Sequence, residues 1–314
     1  MNNQPLVTVN ILSFNRKDEL RKTLTKVYEQ DYKNIEVIVV DNASNDGSSE
    51  MVKKEFPKVQ LIQMKENIGI AGWNEGFKVA KGEYVLVLDD DSYPLSSTIR
   101  IGIEKLLSNL TVAIIACRIV SKNEIKNFDK LEEDLSDKLM TSFTGCGAII
   151  RKSLLEEING FEKELFIYFH EVEFSIRVID AGWNILLCPA SVVIHSFSIT
   201  NRQVDSDLVD NRKVFYDIRN LLLIIFLHFP LVKSTFLIVR IILGRILYGL
   251  LEKKLNLVLL ALKSAIGKVD MIKSKRKIIS EHTQARYLNG SFAGGFFFFN
   301  YNYGLKRPKW LDLN

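Results

Sequence analysis

Short apolar runs that stop abruptly at polar clusters recur along the first half of the chain. Leu6 to Phe14 is rich in Val, Ile and Leu and meets Asn15-Arg16-Lys17-Asp18; Ile35 to Val40 closes on Asp41-Asn42-Ala43-Ser44-Asn45-Asp46-Gly47; Val59 to Met64 is a shorter third run. Tyr84 to Leu88 ends in three consecutive carboxylates, Asp89, Asp90 and Asp91. Runs of this length and β-branched content predict strands buried on both faces of a sheet. Between them Leu20, Leu24 and Val27 recur at helical spacing, with Asp18 placed to cap that helix, and Asn67 opens another helix that runs through Ala80. Strands alternating with helices predict an α/β fold with a mostly parallel, Rossmann-like sheet, in which ligands gather beyond the carboxyl ends of the strands.

The acids at 89–91 therefore stand where a ligand would. Three adjacent carboxylates repel one another unless a cation or solvent offsets their charge, and Mg²⁺ commonly shares protein carboxylates with substrate phosphates. The plainer reading is a solvated acidic turn. The glycines at 69, 72 and 76 do not make a dinucleotide-binding pattern, and no phosphate loop of the G-x-x-x-x-G-K-[ST] type occurs. Nucleotide binding would fall instead to polar groups on the loops at the strand ends.

Ser13-Phe14-Asn15-Arg16, Ile38-Val39-Val40-Asp41-Asn42-Ala43-Ser44, Asn67-x-Gly69-x-Ala71-x-x-Asn74-x-Gly76 and Leu88-Asp89-Asp90-Asp91 follow one another in an order and spacing that resembles family 2 glycosyltransferases of GT-A fold. The resemblance covers roughly the first two hundred residues. Thr144 to Lys152 resembles the family's acceptor-side strand, Asn159-Gly160-Phe161 its Gly-Phe turn, and Phe166 to Arg177 the segment written Glu-Asp-x-Asp-Leu-x-x-Arg. Here His170 replaces the first acid and Glu171 the second, so the base stays a carboxylate with one more methylene. The resemblance implies an inverting transfer with Glu171 as general base and His170 as a rival. It implies a Mn²⁺ or Mg²⁺ ion held by Asp91 and Asp89, with His195, 24 residues after Glu171, as a further ligand. By position, Ser13, Asn15 and Arg16 would line the base and diphosphate pocket, Asp41 would accept from a uracil or thymine imide, and Asn67, Asn74, Asp89 and Asp90 would hold the ribose and phosphate side. Gly145, Cys146 and His170 would face the acceptor. Tight loops select Asn, Asp and Gly anyway, so several of these must be structural.

Inverting sugar transfer needs a base near the acceptor hydroxyl and a cationic group beside the departing diphosphate, which fits these residue types independently of family. Within the family the chain resembles bacterial rhamnosyl- and galactofuranosyltransferases of surface polysaccharides. That implies dTDP-rhamnose or UDP-galactofuranose as donor, a UDP-hexose being the other choice, and a lipid-linked glycan acceptor in O-antigen or capsule synthesis. A nucleotidyltransferase, or a non-catalytic scaffold of the same fold, stays open on the residues alone.

Charge changes the picture of the last third. Residues 206–314 hold 18 Lys/Arg against 7 Asp/Glu, whereas residues 1–205 hold 24 against 30. The expected organisation is a catalytic domain over 1–205, divided near residue 95 into nucleotide-sugar and acceptor halves, followed by a basic, apolar helical region over 206–314. The polar stretch Asp205 to Asp217 reads as a linker. Leu221 to Leu251 is dominated by apolar residues, yet Lys233, Arg240 and Arg245 interrupt it and its longest charge-free stretch, Asn220 to Val232, is 13 residues and contains Pro230. That is short of the roughly 20 residues a span needs, so the expectation is interfacial helices on an anionic membrane, peripheral on the cytoplasmic face, or a homo-oligomer surface. The aromatic tail, with Phe296 to Phe299, Tyr301, Tyr303 and Trp310, would cover the core or anchor at an interface. No nucleic-acid motif is present. Three scattered cysteines, Cys117, Cys146 and Cys188, argue against a disulfide framework, and Met1 to Leu6 does not resemble a secretion signal.

Overall fold

A computed structural model describes residues 4–121, 136–196 and 206–288. The chain divides into two compact units, Met1–Val204 and Asp205–Asn314.

The first unit is a sheet of nine strands in the order β3-β2-β1-β4-β8-β6-β9-β5, with β7 on the side of β9. Strands β1 (Val7–Ser13), β2 (Ile35–Asp41), β3 (Gln60–Gln63) and β4 (Tyr84–Asp89) are parallel, as their apolar runs predict. Helices α1 (Lys17–Tyr28), α2 (Ser48–Glu55) and α3 (Gly72–Val79) connect them. Strand order reverses between β1 and β4, the kind of switch point beyond whose carboxyl strand ends open α/β sheets bind ligands. Register places Ser13 opposite Asp41 and Leu12 opposite Asp89, which lines up the ends of three strands along one edge.

The remaining strands turn the sheet antiparallel on both sides of β8 (Ala148–Arg151), which pairs with β4 and with β6 (Val112–Ser121). Strand β9 (Asn184–His195) runs parallel to β6 and antiparallel to β5 (Ser92–Pro94) and β7 (Lys138–Met140). The β5–β9 register sets Ser92 opposite His195, and the Ser196 amide donates to the Asp91 carbonyl at 2.9 Å. That pairing carries a residue 104 positions away to the carboxylate cluster. Helix α4 (Thr98–Ser108) packs Ile99, Ile103 and Leu106 onto the sheet, while α5 (Lys152–Ile158) and α6 (His170–Asp180) complete the unit.

The cap of α1 differs from expectation. Asp18 lies inside the first turn, and the Lys17 amide donates to Asp46 Oδ2 at 2.8 Å, so the helix start is closed by the loop after β2.

In the second unit the expected linker is already helical: α7 runs from Ser206 to His228. Its apolar half is core, with Leu221 to Ile225 and Leu227 buried, rather than a surface for lipid. Pro230 ends it, and α8 (Leu231–Leu251), α9 (Leu255–Ile266), α10 (Val269–Lys275) and α11 (Glu281–Leu288) follow. Helix α8 is long and apolar enough, by length and composition, to cross a membrane. The aromatic tail lies outside the described residues.

Candidate active site

Two staples shape the crevice before any catalytic group enters it. Asn42 donates to Asn67 Oδ1 and the Gly69 carbonyl, both at 2.9 Å, and accepts from the Ile68 amide. Gly69 has φ +65°, and a Cβ there would run into the Phe166 carbonyl, which accepts from the Ile70 amide at 2.8 Å. Glycine is needed because both the dihedral and the space forbid a side chain. Farther along α3, Asn74 grips the Phe161 backbone with both ends of its amide, at 2.8 Å each. Asn67 and Asn74, expected on the ribose and phosphate side, thus hold protein backbone, and Asn15 does likewise, accepting from the Asn45 amide at 2.8 Å.

The segment before α6 is held tightly. Phe166, Tyr168 and Phe169 all have positive φ, near 60°, a conformation that costs bulky residues roughly 1–3 kcal/mol each. No glycine marks it, so periodicity gave no sign of this turn. Its outcome is to present His170 and Glu171 at the helix start. Glu173, 2% exposed, forms a two-pronged ion pair with Arg177 at 2.7 Å, and Arg177 also donates to the carbonyls of Ile158 and Gly160. This clamp ties α6 to the Asn159-Gly160-Phe161 turn, and Phe161 in turn packs edge-on against the His170 ring.

Glu171 is half-buried, and its Oε1 accepts from the Gly145 amide at 3.2 Å. His170 Nδ1 lies 3.2 Å from Glu171 Oε2 without hydrogen-bond alignment, and its ring is packed between Trp73 and Phe161. Burial lowers the His170 pKa, against the pull of Glu171 and Glu173, which keeps the imidazole neutral.

The three consecutive acids take three different roles. Asp89, at the end of β4, is half-buried; burial and the neighbouring Asp91 push it up to about 7. Asp90 turns inward, accepts from the Phe14 amide at 3.0 Å, and is pushed by burial up to about 8 despite Arg16. Asp91 is spread between Arg16 on one oxygen and His195 Nε2, 3.1 Å away, on the other. Burial alone would raise it, but the His195 hydrogen bond and Arg16 hold it below the usual carboxylate range. Arg16 thus sits among three carboxylates, touching Asp91 and lying 3.6 Å from Asp90.

Ligand atoms of Asp89, Cys146 and His195 lie within 4.8 Å of one another. The Asp89 carboxylate and His195 imidazole, flanked by further carboxylates, suit a divalent cation such as Mn²⁺, whereas the buried Cys146 thiol, a soft ligand held protonated, borders that point rather than suiting the ion. Cys146, expected on the acceptor side, is brought to this cluster because β8 lies beside β4. Its thiol is pushed up by burial and by Asp89, Asp91 and Glu171, which places all three in one electrostatic neighbourhood. At the strand ends Ser13 Oγ is buried without a protein partner, and Asp41 accepts from the Ser44 amide at 2.9 Å and from Ser49. Asn42 and the Glu173–Arg177 clamp are the functional supports that sequence reasoning passed over.

A family profile described as Glycosyl transferase family 2 matches residues 8–208. The chain is 36% identical over 97 residues, 30% of its length, to an Escherichia coli UDP-Glc:α-D-GlcNAc-diphosphoundecaprenol β-1,3-glucosyltransferase. It is 30% identical over 193 residues, 55% of its length, to a Campylobacter jejuni GalNAc(5)-diNAcBac-PP-undecaprenol β-1,3-glucosyltransferase. These matches span 38% and 62% of the two relatives. A solved mannosyltransferase of Pyrobaculum calidifontis in complex with GDP-Man and Mn²⁺ shares the fold at TM-score 0.56 and 21% identity, covering 92% of this chain and 80% of that one.

Proposed function

The chain belongs to glycosyl transferase family 2, and from that premise we propose that it transfers a sugar, with inversion, from a nucleoside diphosphate sugar to a lipid-linked glycan. The observation that carries this reading is the meeting of Asp89, Cys146 and His195 with Glu171 and the ends of β1 and β2 around one crevice. The undecaprenol-linked substrates named for the Escherichia coli and Campylobacter relatives support the acceptor class, and both being glucosyltransferases favours a UDP-hexose over dTDP-rhamnose or UDP-galactofuranose.

In this reading Asp41 and Ser13 receive the base and ribose edge of the nucleotide. Asp41 keeps lone pairs beyond those used by Ser44 and Ser49, since a carboxylate offers about four. Asp89 and His195, with Asp91 and Cys146 beside them, would hold a Mn²⁺ or Mg²⁺ ion, which supplies positive charge against the departing diphosphate. His195 and Arg16 together keep Asp91 ionised and aimed. Glu171, oriented by the Gly145 amide, takes the proton from the attacking acceptor hydroxyl, and His170 stays a neutral wall beside it.

The test is calorimetric binding of UDP, dTDP, GDP and ADP with and without Mn²⁺ or Mg²⁺, followed by turnover of UDP-glucose on a prenyl-diphosphate sugar. Metal-dependent binding of UDP, release of nucleoside diphosphate and a product of inverted anomeric configuration are expected. Release of pyrophosphate would mark a nucleotidyltransferase, and no nucleotide binding by folded protein would mark a scaffold.

A further inference from the structure

Helix α8 carries apolar residues on the side turned away from its own unit. Ser234, Leu237, Ile241 and Tyr248 are buried against the rest of the helical unit. The opposite side presents Val232, 91% exposed, Phe236, 76%, Leu243, 62%, and Leu250, 58%, with Val239 and Leu247 between them. Spacings of four, three, four, four and three residues put these six in one stripe along a helix about 30 Å long, at 1.5 Å per residue. Helix α9 adds exposed Leu259 and Ile266. An exposed apolar stripe of this kind marks a contact that covers it.

We propose that this surface docks on an anionic lipid bilayer, α8 lying flat at the boundary between headgroups and acyl chains. Charge selects the occupant. Exposed Lys233, which pairs with Glu281 at 3.1 Å, and exposed Arg240 lie seven residues apart along the edge of the stripe, and exposed Lys263 falls between Leu259 and Ile266 on α9. Residues 206–288 hold 15 Lys/Arg against 6 Asp/Glu. A second copy laid on this face would bring its cations against these, whereas anionic headgroups attract them and the long side chains reach up to the phosphates. A span is disfavoured because one face of α8 is buried against α7 and α9, the latter only 12 residues long, and because Arg240 would stand near the middle of the hydrocarbon. The inference rests on this surface and is independent of the reaction proposed above.

The experiment is flotation of the full-length protein with vesicles of phosphatidylcholine, alone or mixed with phosphatidylglycerol. Binding to the mixed vesicles is expected, with Phe236→Asp/Leu243→Asp weakening it by at least about 100-fold, since charged groups on the buried face oppose insertion. Both positions are solvent-exposed, so thermal unfolding and UDP binding should be unchanged, which separates failure here from failure of the reaction. Lys233→Glu/Lys263→Glu, which leaves the apolar stripe intact, should weaken binding at least about tenfold. Equal binding to neutral vesicles, unchanged binding by both variants, retention in membranes through alkaline extraction, or a dimer that the aspartate variant dissociates without any vesicle binding would each overturn the proposal.

Discussion

Replacing Glu171 by Gln isolates the proton-accepting function of the candidate base. Glu171 Oε1 accepts from the Gly145 amide at 3.2 Å, and the glutamine amide oxygen can take the same bond, so the loop keeps its place. What is lost is basicity. General-base catalysis contributes about 10²- to 10⁴-fold, so kcat should fall by that factor, equivalent to about 3–5 kcal/mol of barrier. Single-turnover transfer at saturating donor measures the rate, and calorimetry with UDP and Mn²⁺ should return an affinity within about twofold of the parent, because uniform binding is untouched. The partner experiment is His170→Phe. Burial keeps that imidazole neutral and both of its nitrogens lack an aligned hydrogen-bond partner, while its ring packs against Trp73 and Phe161. Phenylalanine preserves the packing, so transfer should slow by less than about tenfold. A glutamine variant within tenfold of the parent, or a His170→Phe protein that melts normally but is as inactive as the glutamine variant, would refute the assignment of the base to Glu171.

Arg177→Ala leaves Glu173 buried without its ion-pair partner and should cost about 3–5 kcal/mol, or roughly 6–20 °C in melting temperature for a unit of this size; Glu173→Leu/Arg177→Met should recover most of it, and no recovery would show that the ion pair itself is not the issue. Cation binding should weaken in acid: with its pKa raised to about 7, Asp89 is mainly protonated below that value and must release the proton to ligate. Mn²⁺ affinity by calorimetry should therefore rise by up to about tenfold per pH unit from about 6 to 7, with proton release detectable as a dependence on buffer ionisation enthalpy, and a flat profile would contradict it. Gly69→Ala should destabilise the unit by about 1–3 kcal/mol through its positive φ and its close approach to Phe166, with weaker UDP binding as the loop shifts; a thermal melt and a titration check both.

The sequence by itself determined the framework on which these experiments rest. Apolar runs ending at Ser13, Asp41 and Asp89 are strands because burial on both faces leaves little other choice, and a parallel sheet gathers such ends on one edge. The sequence also pointed at Asp89, Glu171 and His195, and the charges of Glu171 and His195 both act on Asp89. Tertiary structure alone decided which polar group faces which. Asp89, Asp90 and Asp91 are adjacent in sequence, yet one ends a strand, one bonds the Phe14 amide and one is divided between Arg16 and His195, because the turn and the β5–β9 register point them differently. Asn74 clamps Phe161 across 87 positions, and Cys146 reaches Asp89 because β8 inserts beside β4. In the helical unit hydropathy could not separate the apolar half of α7, which is core, from the outer side of α8, which is surface. Periodicity reports that a side chain wants burial or a partner; the partner is fixed by which distant strands and helices pack together, and local spacing carries no record of that.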